Sequence, residues 1–228
     1  MEYNRYATAV SAAYEVFSSS LTPLYLQMKL DGASRTSNAP LLKLRVDGHQ
    51  LMNSFLERAE TLTADYLSTI VPGALTSAPD GSRAVSLLRA LRVISYNNVV
   101  SLIQKTNADV GSMLSTRGGA MGALALKASN TVTFTSQDSS GRTWQSAVLV
   151  KTLSRDFAYQ TFIDGQVKTL RAQGATTAQI SYLDPLHENH GLVVAITGAG
   201  IAGVPNMESV RDTIFHINAN ANLTHVQT

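Results

Sequence analysis

Two short motifs bracket the C-terminal half of the chain: Asp138-Ser139-Ser140-Gly141-Arg142-Thr143-Trp144, and Ile180-Ser181-Tyr182-Leu183-Asp184-Pro185 with the following His187-Glu188-Asn189-His190-Gly191. The first motif places Asp, Ser, Ser and Gly in a row, which predicts a turn that starts a helix. The second motif predicts a strand that breaks at its proline into a polar loop. About 30 residues with helical periodicity separate the two motifs. The sequence therefore predicts a long helix between a turn and a strand.

The long helix is predicted from Thr143 to about Gln173. Asp164 and Lys168 are related as i and i+4, so we expect them to form a favourable pair. Gly174 suits the position at which a helix ends. The apolar residues with helical spacing are Val150, Leu153, Phe157, Val167 and Leu170. Around this helix the sequence predicts strands at 131–135, 179–183 and 192–197, a last strand or short helix at 210–217, and an extended tail at 218–222.

The N-terminal half predicts three helices, at 2–30, about 48–70 and 82–115. Pro23 is expected to end or kink the first helix near Leu21. Ser82 is a candidate N-cap for the third helix. The first helix carries one apolar stripe at alternating three- and four-residue spacing, formed by Tyr3, Tyr6, Val10, Tyr14, Phe17 and Leu21. We expect a polar loop at 31–40 and a surface turn at 71–82.

These elements predict an α+β fold that is predominantly α. A helical N-terminal domain would span residues 1–116, and a glycine-rich hinge would span residues 117–128. A small α+β domain with the long helix and short antiparallel strands would then occupy residues 129–228. No internal repeat interrupts this order.

The composition of the 228 residues excludes several kinds of site. There is no cysteine, which rules out disulfides, thiolate nucleophiles and cysteine-based zinc or iron–sulfur centres. The net charge of +2 gives no strong field that would steer nucleic acid. Charged residues make up 15% of the chain, against roughly 25% in an average soluble domain, which suits packed assemblies and protein–protein contacts. We expect no signal peptide and no membrane span.

Two glycine-rich runs and four basic residues are candidates for phosphate binding. The run at 117–123 lacks the Gly-Lys-Ser/Thr of a P-loop, and the run at 198–203 is followed by Val204-Pro205, where no helix can begin. We interpret the first run as a hinge and the second as a loop. The basic residues of the third helix predict a solvated face, with phosphate contact as the alternative; they are Arg83, Arg89, Arg92 and Lys105.

A histidine-containing loop is the one metal-like cluster in the sequence. His187 and His190, with Asp184 and Glu188 nearby, could supply ligands for zinc. The two histidines are one residue closer than in the His-Glu-x-x-His motif, and Pro185 and a glycine bracket them, so they do not share a helix face. We therefore expect a polar loop, and a metal-dependent hydrolase that uses this loop stays open as an alternative. No serine lies in Gly-x-Ser-x-Gly, and we assign no catalytic, cofactor-binding or metal-binding residue.

The residues from Phe134 to about Ile196 resemble the C-terminal region of the minor head (minor capsid) proteins of tailed bacteriophages. The resemblance is carried by Gly141-Arg142-Thr143-Trp144, by a helix containing Arg155, and by Ile180 to His187 followed by Gly191-Leu192-Val193. In that family a Gly-Arg-x-Trp opens a helix, and a strand, a histidine-containing loop and a further strand follow. Many members carry Cys-x-x-Cys beside the histidine. The chain lacks these cysteines, so hydrogen bonds of Asp184, His187 and Glu188 would replace a metal.

Trp144 is expected to anchor the start of the long helix against the core, because a large aromatic side chain buries much apolar area. A cation–π contact with Arg142 is the alternative.

The resemblance implies a non-enzymatic structural protein of the virion, made in the cytoplasm of a bacterial host. Such a protein would act near the portal or in the inner head, in assembly and in DNA packaging or delivery. Its expected partners are the portal protein, the major capsid protein, and other virion or neck proteins. A weak DNA contact and a homo-oligomer stay open, and no membrane partner is expected. A ring-forming subunit of the neck, or head–tail connector, is the first alternative function, and the hydrolase is the second.

Overall fold

A computed structural model describes residues 2–32, 39–70, 80–115, 132–198, 200–216 and 219–226. Its helices are α1 (Glu2–Gly32), α2 (Ala39–Ile70), α3 (Asp80–Ser115), α4 (Ser146–Ala172) and α5 (Met207–Ile214). Its strands are β1 (Thr135–Gln137), β2 (Thr143–Gln145), β3 (Thr177–Ser181), β4 (Val193–Ala195) and β5 (Asn222–His225). The fold is α+β and predominantly α, as predicted. No helix of these described segments is long and apolar enough to cross a bilayer.

The predicted stripe of α1 is the centre of the helical core. All six of its side chains are buried, and α1 packs against both α2 and α4. Tyr6 stacks on Tyr66 of α2 with 4.8 Å between ring centroids, and Phe17 stacks on Phe55 at 5.6 Å. The regularly spaced apolar residues of α1 thus form the surface against which two other helices pack.

The three predicted helices of the N-terminal half are present, but two of them start earlier than expected. The helix α1 runs from Glu2 through Pro23 to Gly32, so the proline, which was predicted to end or kink the helix, does not end it. Leu21 and Tyr25, on either side of the proline, are both fully buried, so packing outweighs the loss of one backbone hydrogen bond. The helix α2 starts at Ala39, well before residue 48, and buries Leu44 on its added turns. Ser82 lies inside α3 and is not its N-cap.

The turn at residues 138–141 was predicted, but it closes a β-hairpin and does not start the long helix. Strands β1 and β2 pair antiparallel, with Thr135 opposite Gln145 and Gln137 opposite Thr143. Gly141 has φ +80°, a conformation that glycine adopts without strain. The helix α4 begins only at Ser146, and the strand expected at 131–135 lies later, at 135–137.

The second sheet is antiparallel, with strand order β4-β3-β5. Strands β3 and β4 occur where strands were expected, with bounds that differ by a few residues. The segment at 210–217 is largely the short helix α5, one of its two predicted forms. The extended tail was only partly anticipated, because Asn222–His225 pairs with β3 as the strand β5.

The helix α4 connects this sheet to the helical core. It ends as predicted, before Gly174 with φ +84°. Tyr66 of α2 donates a hydrogen bond to the carbonyl of Ala158 at 2.7 Å, and Tyr159 donates to the carbonyl of Ala221 at 3.0 Å. Buried residues of both predicted domains therefore contribute to one cluster. The hinge at 117–128, and most of the predicted polar loop and surface turn, lie outside the described residues, so the domain division stays a prediction.

Candidate functional site

The segment 182–191 between β3 and β4, hereafter the His187 loop, is closed at its base by backbone hydrogen bonds. The Ile180 amide donates to the Leu192 carbonyl at 2.8 Å, and the Gly191 amide donates to the Ile180 carbonyl at 2.8 Å. Gly191 has φ +87°, which lets the chain turn back into β4. The sheet thus holds both ends of the loop in fixed positions.

Side chains inside the loop hold its backbone. The carboxylate of Asp184 accepts from the Leu186 amide at 2.9 Å, which forms a local Asx-type turn. The Nδ1 atom of His187 accepts from the Asn189 amide at 3.2 Å, and the Nδ1 atom of His190 accepts from the Tyr182 amide at 3.1 Å. Because Nδ1 accepts in both rings, the neutral tautomer that fits carries its proton on Nε2.

Tyr182 fixes the loop to the body of the protein. Its ring stacks on the imidazole of His187, with 3.6 Å between centroids and 9° between planes. Its hydroxyl donates to the carbonyl of Ile214 at the end of α5, at 3.3 Å. Burial raises the pKa of this hydroxyl. The prediction that Asp184 and His187 support the loop by hydrogen bonds is confirmed, whereas Glu188 is exposed.

These contacts of the His187 loop hold two leucines in solvent. Leu183 is 86% exposed and Leu186 is 90% exposed, on either side of Asp184 and Pro185. A flexible loop could fold such side chains back onto the protein, but this one is held by the contacts above. Two neighbouring leucines held outward in this way form a small exposed apolar surface that a protein partner could cover.

The loop does not form a metal centre in the structure. Among the residues that the structure describes, no group of three or more histidine, cysteine, aspartate or glutamate side chains could hold a metal ion. The Nδ1 atoms of His187 and His190 are both engaged by backbone amides. The ligand set weighed from the sequence, these histidines with Asp184 or Glu188, is therefore not brought together.

A groove of about 650 Å³ lies between α3, α4 and α5, and an ion-pair network crosses it. Asp164 of α4 binds Arg83 at 2.7 Å and Arg211 at 2.5 Å, and Arg211 also donates to Gln160 at 2.8 Å. The predicted pair of Asp164 with Lys168 is wrong, because these two arginines from other helices take the carboxylate. The network joins α5 to the helical core.

The surroundings of this groove shift the pKa values of two ionisable groups. Burial lowers the pKa of Arg211, but hydrogen bonds and charges of Asp164 and Glu208 outweigh it, and the pKa is raised. The Asp156 side chain reaches solvent, yet its carboxyl is crowded by protein atoms, and this partial burial raises its pKa despite the nearby Arg83. Both effects are those of a structural ion network and identify no reacting group.

The Gly-Arg-x-Trp motif forms a structural unit in the hairpin. Trp144 lies on β2, immediately before α4, where its half-buried ring packs against the core and its Nε1 donates to Asp138 at 2.9 Å. The predicted anchoring role thus holds, with a strand in place of the first helical turn. The guanidinium of Arg142 lies 5.7 Å from the Trp144 ring centroid and binds Asp138 at 2.8 Å, so the cation–π alternative is also present.

The outer face of α3 carries Arg89 and Arg92, two of the four basic residues that the sequence singled out, whereas Lys105 pairs with Asp109. This basic α3 face is formed by exposed side chains with helical spacing, namely Val85, Arg89, Arg92, Val93 and Tyr96. The sequence contains no acidic residue between Asp80 and Asp109. In the described part of the chain, Arg89 and Arg92 form no ion pair, whereas Arg83 does. The prediction of a solvated basic face is confirmed for this pair.

Sequence reasoning missed the two exposed leucines and the network around Arg211. One signal was present for the leucines, since Leu183 and Leu186 interrupt an otherwise polar loop. The ion-pair network gives no signal in the sequence, because its residues come from three separate helices. No family model, no curated protein and no solved structure matches this chain.

Proposed function

We propose that this protein is a structural component of a tailed-phage virion, a minor head protein that acts through protein–protein contacts at the portal or in the inner head. The His187 loop is the observation that carries the contact role, because it holds Leu183 and Leu186 in solvent on a braced backbone. The phage assignment rests on the sequence resemblance described above. The virion is its proposed location, and the portal or major capsid protein is its proposed partner.

The neck or head–tail connector is the second candidate, favoured by a specific observation. The chain carries two different exposed apolar surfaces, the His187 loop and the basic α3 face. Subunits that contact each other through two unlike surfaces form rings when the rotation closes. A ring-forming subunit needs such a pair of surfaces.

Crosslinking mass spectrometry of purified virions tests the proposed function. Virions from the phage or prophage that encodes the chain are crosslinked, and peptides joined to residues 182–191 are identified. We expect the chain in the particle, with crosslinks from this segment to portal, capsid or neck proteins. Absence of the chain from particles that package DNA normally would refute the assignment. A Leu183→Ser/Leu186→Ser variant should lose these crosslinks while a Val16→Ser control keeps them, since Val16 is an exposed apolar residue of α1.

A further inference from the structure

The His187 loop and the basic α3 face are complementary in chemistry. The loop combines two exposed leucines with the carboxylates of Asp184 and Glu188. The basic α3 face combines half-exposed Val93 and Tyr96 with the guanidinium groups of Arg89 and Arg92. Each surface therefore offers apolar area flanked by charge, and the two charges are of opposite sign. Opposite potentials of this kind favour one pairing and reject others.

We infer that the His187 loop of one copy of this chain docks on the basic α3 face of a second copy, in a head-to-tail contact. This inference rests on the proposed function and names one partner of the same loop. Leu183 and Leu186 lie against Val93 and Tyr96, and Glu188 approaches Arg89 and Arg92. The contact buries the most exposed leucines of the described residues and supplies two arginines with an acidic partner.

Charge disfavours the pairing of either surface with its own equivalent on a second copy. A two-fold contact between α3 faces would place Arg89 and Arg92 of one copy against the same residues of the other. A two-fold contact between loops would place Asp184 and Glu188 against their equivalents. Like charges brought together at an interface are unfavourable, so only a contact of the loop with the α3 face matches charges on both sides. A head-to-tail contact of this kind leaves one free loop and one free α3 face at the ends, and it continues to a ring or a chain of subunits.

The α3 face is also braced for contact. Tyr96 lies beside His49 of α2, with 5.8 Å between ring centroids, so its ring is supported from one side and open on the other. The other residues of the basic α3 face are exposed because they lie on one side of the helix. The opposite side is packed, and Leu87, Leu91 and Ile94 are buried there. A rigid helix and a braced loop lose little conformational entropy when they meet.

Two complementary variants test the inference. Leu186→Ser, the loop variant, removes one of the two apolar side chains of the contact, and its site is 90% exposed, so folding is unaffected. Arg89→Glu/Arg92→Glu, the face variant, reverses the charge of the α3 face. In native mass spectrometry and light scattering, wild-type protein should assemble with increasing concentration. Each variant alone should be monomeric, with a dissociation constant raised at least about tenfold.

The mixture of the two variants is the decisive sample. The face variant retains an intact loop, and the loop variant retains an intact α3 face, so one contact can form between them. The expected product is a heterodimer that does not grow further. An Arg58→Glu control, at an exposed position of α2, should assemble like the wild type.

Three results would overturn the inference: a wild-type monomer at every concentration, either variant assembling like the wild type, or a mixture that stays monomeric. Duplex DNA bound by monomeric wild type and lost in the face variant would assign the α3 face to nucleic acid instead. None of these results affects virion crosslinks from the loop to portal, capsid or neck proteins. The inference and the proposed function therefore fail separately.

Discussion

Asp138 closes the hairpin between β1 and β2 with a single carboxylate. It accepts from the Ser140 amide at 2.9 Å, the Ser140 hydroxyl at 2.7 Å and the Arg142 amide at 3.0 Å. The Arg142 and Trp144 side chains donate to its other oxygen at 2.8 Å and 2.9 Å. The hydroxyl of Ser140, the indole of Trp144 and the groups of Arg142 outweigh desolvation and hold the pKa of Asp138 well below its usual range. One residue therefore determines the conformation of the hairpin turn.

Replacing Asp138 by asparagine should lower stability at neutral pH and change its dependence on acid. A depressed carboxyl pKa contributes stability that is fully present above the unfolded-state pKa, near 3.8. That contribution is lost as pH falls through the lower folded-state pKa. The free energy of unfolding of Asp138→Asn should thus converge with that of the wild type toward low pH. Urea titrations between about pH 2 and pH 7 measure this convergence.

A matched control separates the network from the loss of one charge. Asp65 of α2 is exposed, and its carboxylate forms no ion pair with the described residues. Asp65→Asn removes one carboxylate and no side-chain hydrogen bond of the described residues, so it should keep the wild-type free energy of unfolding at neutral pH. A constant difference between Asp138→Asn and the wild type at every pH would contradict the role assigned to the ionised carboxylate.

At the scale of elements, the helices α2 and α3 approach closely at one glycine. A Cβ atom at Gly48 would lie 3.0 Å from the Cγ1 atom of Val99, which is fully buried in α3. Valine at position 48 would add two further methyl groups at this contact. We expect Gly48→Val to destabilise the protein by about 1–3 kcal/mol through overpacking, measured by urea denaturation.

A second substitution identifies the cause of that loss. Val99→Ala removes both methyl groups that face Gly48. If steric conflict causes the loss of stability, the double variant loses less free energy of unfolding than the two single variants lose together. Additive effects would show that Gly48 matters for some reason other than its approach to α3.

How far each element could be predicted depends on where its partners lie in the sequence. The helix α1 buries a face whose spacing is visible within one segment, so its apolar residues were predicted correctly. Strand β2 does not stand out from the predicted helix, because its three residues precede α4 without a break and only pairing with β1 sets them apart. Strand β5 forms by pairing with β3, across α5. Its sequence of four residues, Asn-Leu-Thr-His, is too short to carry a signal of its own.

At the scale of the whole molecule, the same limit applies to the candidate site. The sequence placed Asp184 and His187 in one loop, and the structure confirms their hydrogen bonds. It could not show that Leu183 and Leu186 are exposed, because burial of a leucine depends on what other segments cover it. The link between Asp164, Arg83 and Arg211 likewise appears only when three helices pack together.

Asn98 connects the two predicted halves of the chain through a buried polar network. Its side-chain amide donates to the hydroxyl of Tyr14 in α1 and accepts from the hydroxyl of Ser146 at the start of α4, at 3.2 Å. The hydroxyls of Ser146 and of Ser136 in β1 lie 2.8 Å apart. Burial raises the pKa of Tyr14 to about 12, so this hydroxyl remains neutral in the network.

Asn98→Leu should destabilise the whole molecule, because it leaves buried hydroxyls of Tyr14 and Ser146 without this partner. Each buried polar group that loses its hydrogen bond costs about 1–3 kcal/mol, so a loss of at least about 1 kcal/mol is expected in urea denaturation. Asn97→Leu is the matched control, since Asn97 is exposed on the same helix and should change stability by less than about 0.5 kcal/mol. If the network joins the halves cooperatively, fluorescence of Trp144 in the hairpin and circular dichroism of the helices should report one shared transition in the wild type and separate transitions in Asn98→Leu. Equal stability of the two variants would instead mean that the leucine fits between α1, α3 and α4, and that packing alone holds these elements together.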